Sequence, residues 1–126
     1  MTHITLAAAA VLTIVIGLVH SWLGERRLIG PLLSPERRQG MLVASAFARR
    51  VLRFAWHLTS IAWCGIGAIL AALAVSPLDR QGRYALVAIG ATFLVTGMVT
   101  LVVSRGRHLA WPFFLAIAGL AIAPLV

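Results

Sequence analysis

Residues 51–75 read VLRFAWHLTSIAWCGIGAILAALAV. After Arg53 this run carries no formal charge, apart from whatever His57 holds. It is far too long for a strand. About 30 Å of hydrocarbon takes roughly 20 helical residues to cross, so the run predicts a membrane-spanning helix. Working outward, three more apolar runs lie at about residues 4–23, 84–103 and 109–124. Backbone groups in lipid must bond internally, and uninterrupted apolar runs do so as helices. Little chain is left outside the four runs. The expected fold is one all-α transmembrane domain over residues 1–126, an integral membrane four-helix bundle, up-down-up-down.

The composition agrees. Of 126 residues, 61% are hydrophobic and 11% charged, against about a quarter charged in a soluble domain. All 11 basic residues are arginine, and Glu25, Glu36 and Asp79 are the only acids, giving +8. In a soluble chain that balance would point to nucleic acid, but no basic module remains once the spans are removed. The arginines are read instead as surface residues that set topology and meet anionic lipid head groups. The lone cysteine, Cys64, lies deep in an apolar run and reads as a packing residue. Nothing basic precedes Arg26, so the first run reads as a retained helix and not as a signal peptide.

Arginine counting gives the expected orientation. Arg26, Arg27, Arg37, Arg38, Arg49, Arg50 and Arg53 precede or open the second span, and Arg105 and Arg107 precede the fourth. Arg80 and Arg83 lie on the other side. Nine against two puts both termini in the periplasm of a bacterial inner membrane. Trp22, Trp56 and Trp111 fall near the arginine-rich interface, as an aromatic belt would. In the long first connection, Leu28-Ile-Gly-Pro-Leu-Leu33 is apolar and broken by Gly-Pro, and is expected to lie in the interface. Ser34-Pro-Glu36 reads as a helix start continuing through Met41 and Phe47 into the second span.

Hydrophobicity drives little association between helices in lipid, so small residues mark contacts. The expected packing stripes are Thr13, Gly17, His20 and Gly24 in the first span, and Arg53, His57, Ser60, Cys64, Gly67 and Ala71 in the second. In the third they are Gly90, Gly97 and Ser104, and in the fourth Pro112, Ala116, Gly119 and Ala123.

The residues that could carry chemistry are histidines. Alternating topology brings His20, His57 and His108 to one depth, near the arginine-rich face. Ionisable groups at membrane depth face the bundle interior more often than lipid. One expected use is a haem b, held by imidazoles with Arg53 and Arg105 near its propionates. Another is a transition metal on His20, His57 and His108. Glu25 is a weaker fourth ligand, since five residues past His20 it lies about 140° around an ideal helix, and pairing with an arginine is the simpler role. A third use has no metal: the histidines, with Arg53 and Trp56, bind a quinone or move protons. The plain alternative is that such histidines only hydrogen-bond carbonyls near the interface. His3 belongs at the opposite face. On the sequence, no Ser/His/Asp, glycine-rich phosphate loop or paired-carboxylate arrangement exists in the chain. No acid lies mid-membrane, which argues against a proton-coupled exporter of the small multidrug-resistance type.

The stretches His20-Ser-Trp-Leu-Gly-Glu25-Arg-Arg-Leu-Ile29 and Leu52-Arg-Phe-Ala-Trp-His57-Leu-Thr-Ser-Ile-Ala-Trp63 resemble those of a family of small four-span bacterial inner-membrane proteins of uncharacterised activity. The resemblance implies the architecture and location already expected, and no activity. The functional expectation is electron transfer or a small redox reaction at a histidine-ligated cofactor. Its competitor is a non-catalytic accessory subunit of a larger membrane complex, or a self-associating homo-oligomer.

Overall fold

The computed structural model describes residues 2–126, and every regular element among them is helical. α1 spans Thr2–Gly24 and runs through a π-helical turn, Glu25–Ile29, into α2, Gly30–Leu33. α3 is one turn, Met41–Ala44. The longer helices follow: α4 at Ala46–Val75, α5 at Arg80–Ser104, and α6 at Trp111–Ile122 with a 3₁₀ turn, Ala123–Leu125. Three continuous helices, His3–Leu33, Ala46–Val75 and Arg80–Ser104, are long and apolar enough to cross a membrane; Trp111–Leu125 is a shorter apolar helix.

Two expectations for the first connection fail. Gly30-Pro31 does not break the chain away from the first helix. A proline in a helix lacks a donor and crowds the carbonyl four residues back. The wider π turn just before Pro31 takes up that crowding, with the Gly30 N–H bonding the Glu25 carbonyl. Only glycine suits position 30, because a Cβ there would lie 2.7 Å from the Glu25 oxygen. Nor does a helix start at Ser34. Residues 34–37 form a single turn in which the Ser34 carbonyl accepts from the Arg37 and Arg38 N–H groups. Gly40 then takes φ +55, which ends any helical path. α4 begins instead at Ala46, with Ser45 as its cap: the Ser45 hydroxyl accepts from the Ala48 N–H at 3.1 Å.

α1 pairs antiparallel with α4, α6 with α5, and α1 also packs on α6; α4 and α5 touch little beyond their connection. The glycine stripes explain the first two seams. A Cβ on Gly67 would meet Ile14 at 2.6 Å, and one on Gly17 would meet the Ser60 carbonyl at 3.3 Å. Gly90 and Gly97 of α5 receive Ile122 and Leu115 of α6 in the same way. The stripe expected on α6 is reversed. Pro112, Ala116, Gly119 and Ala123 face outward, and α6 buries Phe114, Ile117, Ala118 and Ala121. Ala71 of α4 is exposed too.

The core sits toward one end. Leu6, Ala9 and Ala10 of α1 and Leu70 and Ala74 of α4 pack with Leu86 and Phe93 of α5 and with Ile117 and Ala121 of α6. Because α6 starts only at Trp111, the other half of α1 has no helix of that hairpin beside its full length. A cleft remains there.

Candidate functional site

The cleft lies between α1 and α4 on one side and α5 and the start of α6 on the other, with a volume of about 780 Å³. Its walls are aliphatic and aromatic, including Ile16, Leu23, Val99, Trp56, Trp63 and Phe114. Its polar lining is confined to threonines, Ser104, His20 and His108, with no arginine or carboxylate. Ser104, His108 and Leu109 close one end, beside exposed Arg105 and Arg107. Pockets that bury small molecules span roughly 300–1,000 Å³ with a few placed polar groups.

His20 is the most constrained group in the cleft. Its ring stacks on Trp56, centroids 4.4 Å apart and planes 7° from parallel, and meets Trp63 edge-on at 5.0 Å. Trp63 in turn meets Phe114 at 5.2 Å. His20 Nδ1 is 3.0 Å from the Ser60 hydroxyl. Among the described residues no hydrogen-bond partner meets Nε2. If Nδ1–H donates to Ser60, Nε2 keeps its lone pair, the tautomer a ligating histidine needs. Trp56 is itself fixed: its Nε1–H donates to the His20 carbonyl at 3.3 Å. Its indole lies against Gly24 so closely that a Cβ there would fall 2.0 Å from Nε1.

His57 lies on the other side of the α1–α4 seam and does not line the cleft. Both of its nitrogens are engaged. Nδ1 is 2.6 Å from the Ser21 hydroxyl and Nε2 is 3.2 Å from Glu25 Oε2. Arg53 Nη2 holds the other oxygen of Glu25 at 3.0 Å. Glu25 thus pairs with an arginine and with His57, while His20 leaves α1 on a different face. Ser21, His57 and Glu25 form the Ser/His/acid chain that the sequence did not disclose. Ser21 near the end of α1 and Glu25 at the start of the π turn that follows it are the residues that sequence reasoning missed or ranked low.

His108 is exposed, and its Nδ1 accepts from the Ala110 N–H at 3.2 Å at the start of α6. In the neutral ring that assigns the proton to Nε2. Arg105 is exposed and ends α5 in the left-handed conformation, φ 51. His3 is exposed and its Nδ1–H donates to the Ala74 carbonyl at the far end of the α1–α4 seam. Among the described residues no three His, Cys, Asp or Glu side chains come together as a metal site. So His20 and His108 share the cleft, Arg53 and His57 share Glu25, and the three histidines do not converge on one point. No protein-family model, curated protein or solved structure matches the chain.

Proposed function

We propose that the chain is a multi-pass bacterial inner-membrane protein that binds one haem b in the cleft through His20 and passes single electrons. The observation that carries this is the His20 ring, clamped by Trp56 and Trp63 and backed by Ser60, with Nε2 unengaged among the described residues in an apolar cleft of about 780 Å³. An orienting partner on the far nitrogen is the usual companion of a ligating imidazole. Exposed Arg105 and Arg107 border one end, where two propionates would need cations. A haem bound there would supply one-electron chemistry, His20 would hold it, and the aliphatic and aromatic walls of the cleft would exclude water.

The membrane setting is supported by the outward faces, where Ile4, Val11, Val75, Val103 and Leu109 are among the most exposed residues. Such faces need lipid. In our assignment the four helices alternate across the bilayer, both termini are periplasmic, and the arginine-rich first connection meets anionic head groups on the cytoplasmic side.

The test is an absorption spectrum of detergent-purified protein from haem-replete cells, oxidised and reduced, with iron determined on the same sample. A Soret band that sharpens on reduction, with one iron per chain, is expected. Its absence overturns the haem. One observation favours a second role. The small stripe of α6, Ala116, Gly119 and Ala123, faces outward, which suits a partner helix in a larger membrane complex. Co-purification of a stoichiometric membrane subunit with a haem-free chain would favour that role.

A further inference from the structure

We propose that Ser21 is an activated nucleophile, with His57 as its general base and Glu25 as the group that orients the base. The site lies across the α1–α4 seam from the cleft and is independent of the haem.

The geometry has the three parts such a nucleophile needs: a hydroxyl in hydrogen-bond reach of a base, and a third group fixing that base. The Ser21 hydroxyl is 2.6 Å from His57 Nδ1. His57 Nε2 is 3.2 Å from Glu25 Oε2. Arg53 Nη2 is 3.0 Å from the other carboxylate oxygen. A carboxylate accepts only, so in the neutral ring Nε2 carries the proton and Nδ1 turns its lone pair toward Ser21. That is the tautomer a base requires. The roles match a serine triad with the two imidazole nitrogens exchanged, and triads are recognised by geometry and roles rather than by chain order.

The surroundings name the substrate class. His57 and Glu25 are about a third exposed, at 34% and 35%. Exposed Trp22 is the chain neighbour of Ser21 and carries the Arg26 guanidinium 4.9 Å over its ring, exposed Phe54 follows Arg53, and exposed Arg50 lies one turn before Arg53 on α4. An apolar flank under an arginine rim fits a carboxylic ester carried on an anionic lipid. Ser21 Oγ attacks the ester carbonyl carbon and its proton moves to His57 Nδ1. The carbon–oxygen bond to the alcohol breaks, and the imidazolium protonates the departing alkoxide. Water then repeats the sequence on the acyl-serine, releasing a carboxylic acid and restoring Ser21.

The test uses the full chain in detergent micelles with a fluorophosphonate probe, the labelled peptide located by mass spectrometry. Labelling at Ser21 is expected, with none in Ser21→Ala. A positioned base contributes about 10²–10⁴-fold, so His57→Gln should label at least about a hundredfold more slowly and Glu25→Gln should be intermediate. Helical circular dichroism and a single gel-filtration peak establish that each variant is folded. A folded parent that labels no faster than Ser21→Ala overturns the proposal, as does labelling indifferent to His57→Gln.

Discussion

The α1–α4 and α5–α6 seams use the same device, a glycine under a neighbouring side chain, and then diverge. Across α1–α4, side chains bond from helix to helix: His20 with Ser60, Ser21 with His57, Glu25 with His57 and Arg53, and Trp56 with the His20 carbonyl. In α5, Thr92, Thr96 and Thr100 each bond a carbonyl of their own helix. Gly90 and Gly97 there meet only aliphatic carbon and backbone. One seam is packing. The other is packing with a polar network at one end, and polar groups away from water need partners at a definite register. A substitution in the α1–α4 seam should therefore disturb chemistry, and one in the α5–α6 seam should only loosen helices.

The largest effect is expected from Gly24→Leu. The side chain would occupy the place of the Trp56 indole, a rigid group that cannot turn aside. Overpacking of this kind costs about 1–3 kcal/mol, and here it also unstacks His20. Unfolding in a detergent titration should move to lower denaturant, Trp56 emission should shift red, and haem should be lost. Ser60→Ala comes next. It leaves the seam packed but frees His20 Nδ1, and loss of such an orienting partner lowers cofactor affinity about 10–100-fold. Haem titration of the apoprotein reads this directly. Gly97→Leu is expected to cost about 1 kcal/mol, because the Leu115 side chain it meets first can rotate away. Its haem spectrum should match the parent, and a changed spectrum would break the distinction between the seams.

The smallest effect belongs outside both seams. Glu36 is held below the usual carboxylate range by its own backbone N–H, then by the Ser34 hydroxyl and Arg38. A lowered carboxylate stabilises the fold above its ordinary pKa and loses that contribution as pH falls through the lower, folded value. Glu36 is fully exposed, so Glu36→Gln should leave the unfolding midpoint at pH 7 unchanged.

Much of the fold was legible because it depends on local pattern. The apolar runs at 4–23, 51–75 and 84–103 lie inside the three long helices, and Gly17, Gly24, Gly67, Gly90 and Gly97 do mark close approaches. The α6 stripe misled because a small residue marks a contact only where a neighbour is present, and α6 meets its neighbours through Phe114, Ile117, Ala118 and Ala121. Gly30-Pro31 misled because a π turn can absorb a proline, and the composition of Glu25–Ile29 does not announce one. The histidines were visible as a layer, but which side of a seam each occupies depends on how α1 and α4 are rotated. Trp56 and His57 are adjacent in sequence and end on opposite sides of that seam. Ser21 escaped for the same reason: its partner is 36 residues away and on another helix.

The most direct test is a pair of reduced spectra, from His20→Ala and His57→Ala, on protein purified from haem-replete cells and shown to be folded. We expect His20→Ala to lose the Soret band and His57→Ala to keep it at the parent's intensity, because His20 lines the cleft with its Nδ1 on Ser60, whereas His57 does not line the cleft and has both nitrogens engaged by Ser21 and Glu25. Loss in His57→Ala with retention in His20→Ala would contradict the assignment and return the cofactor to the other side of the seam.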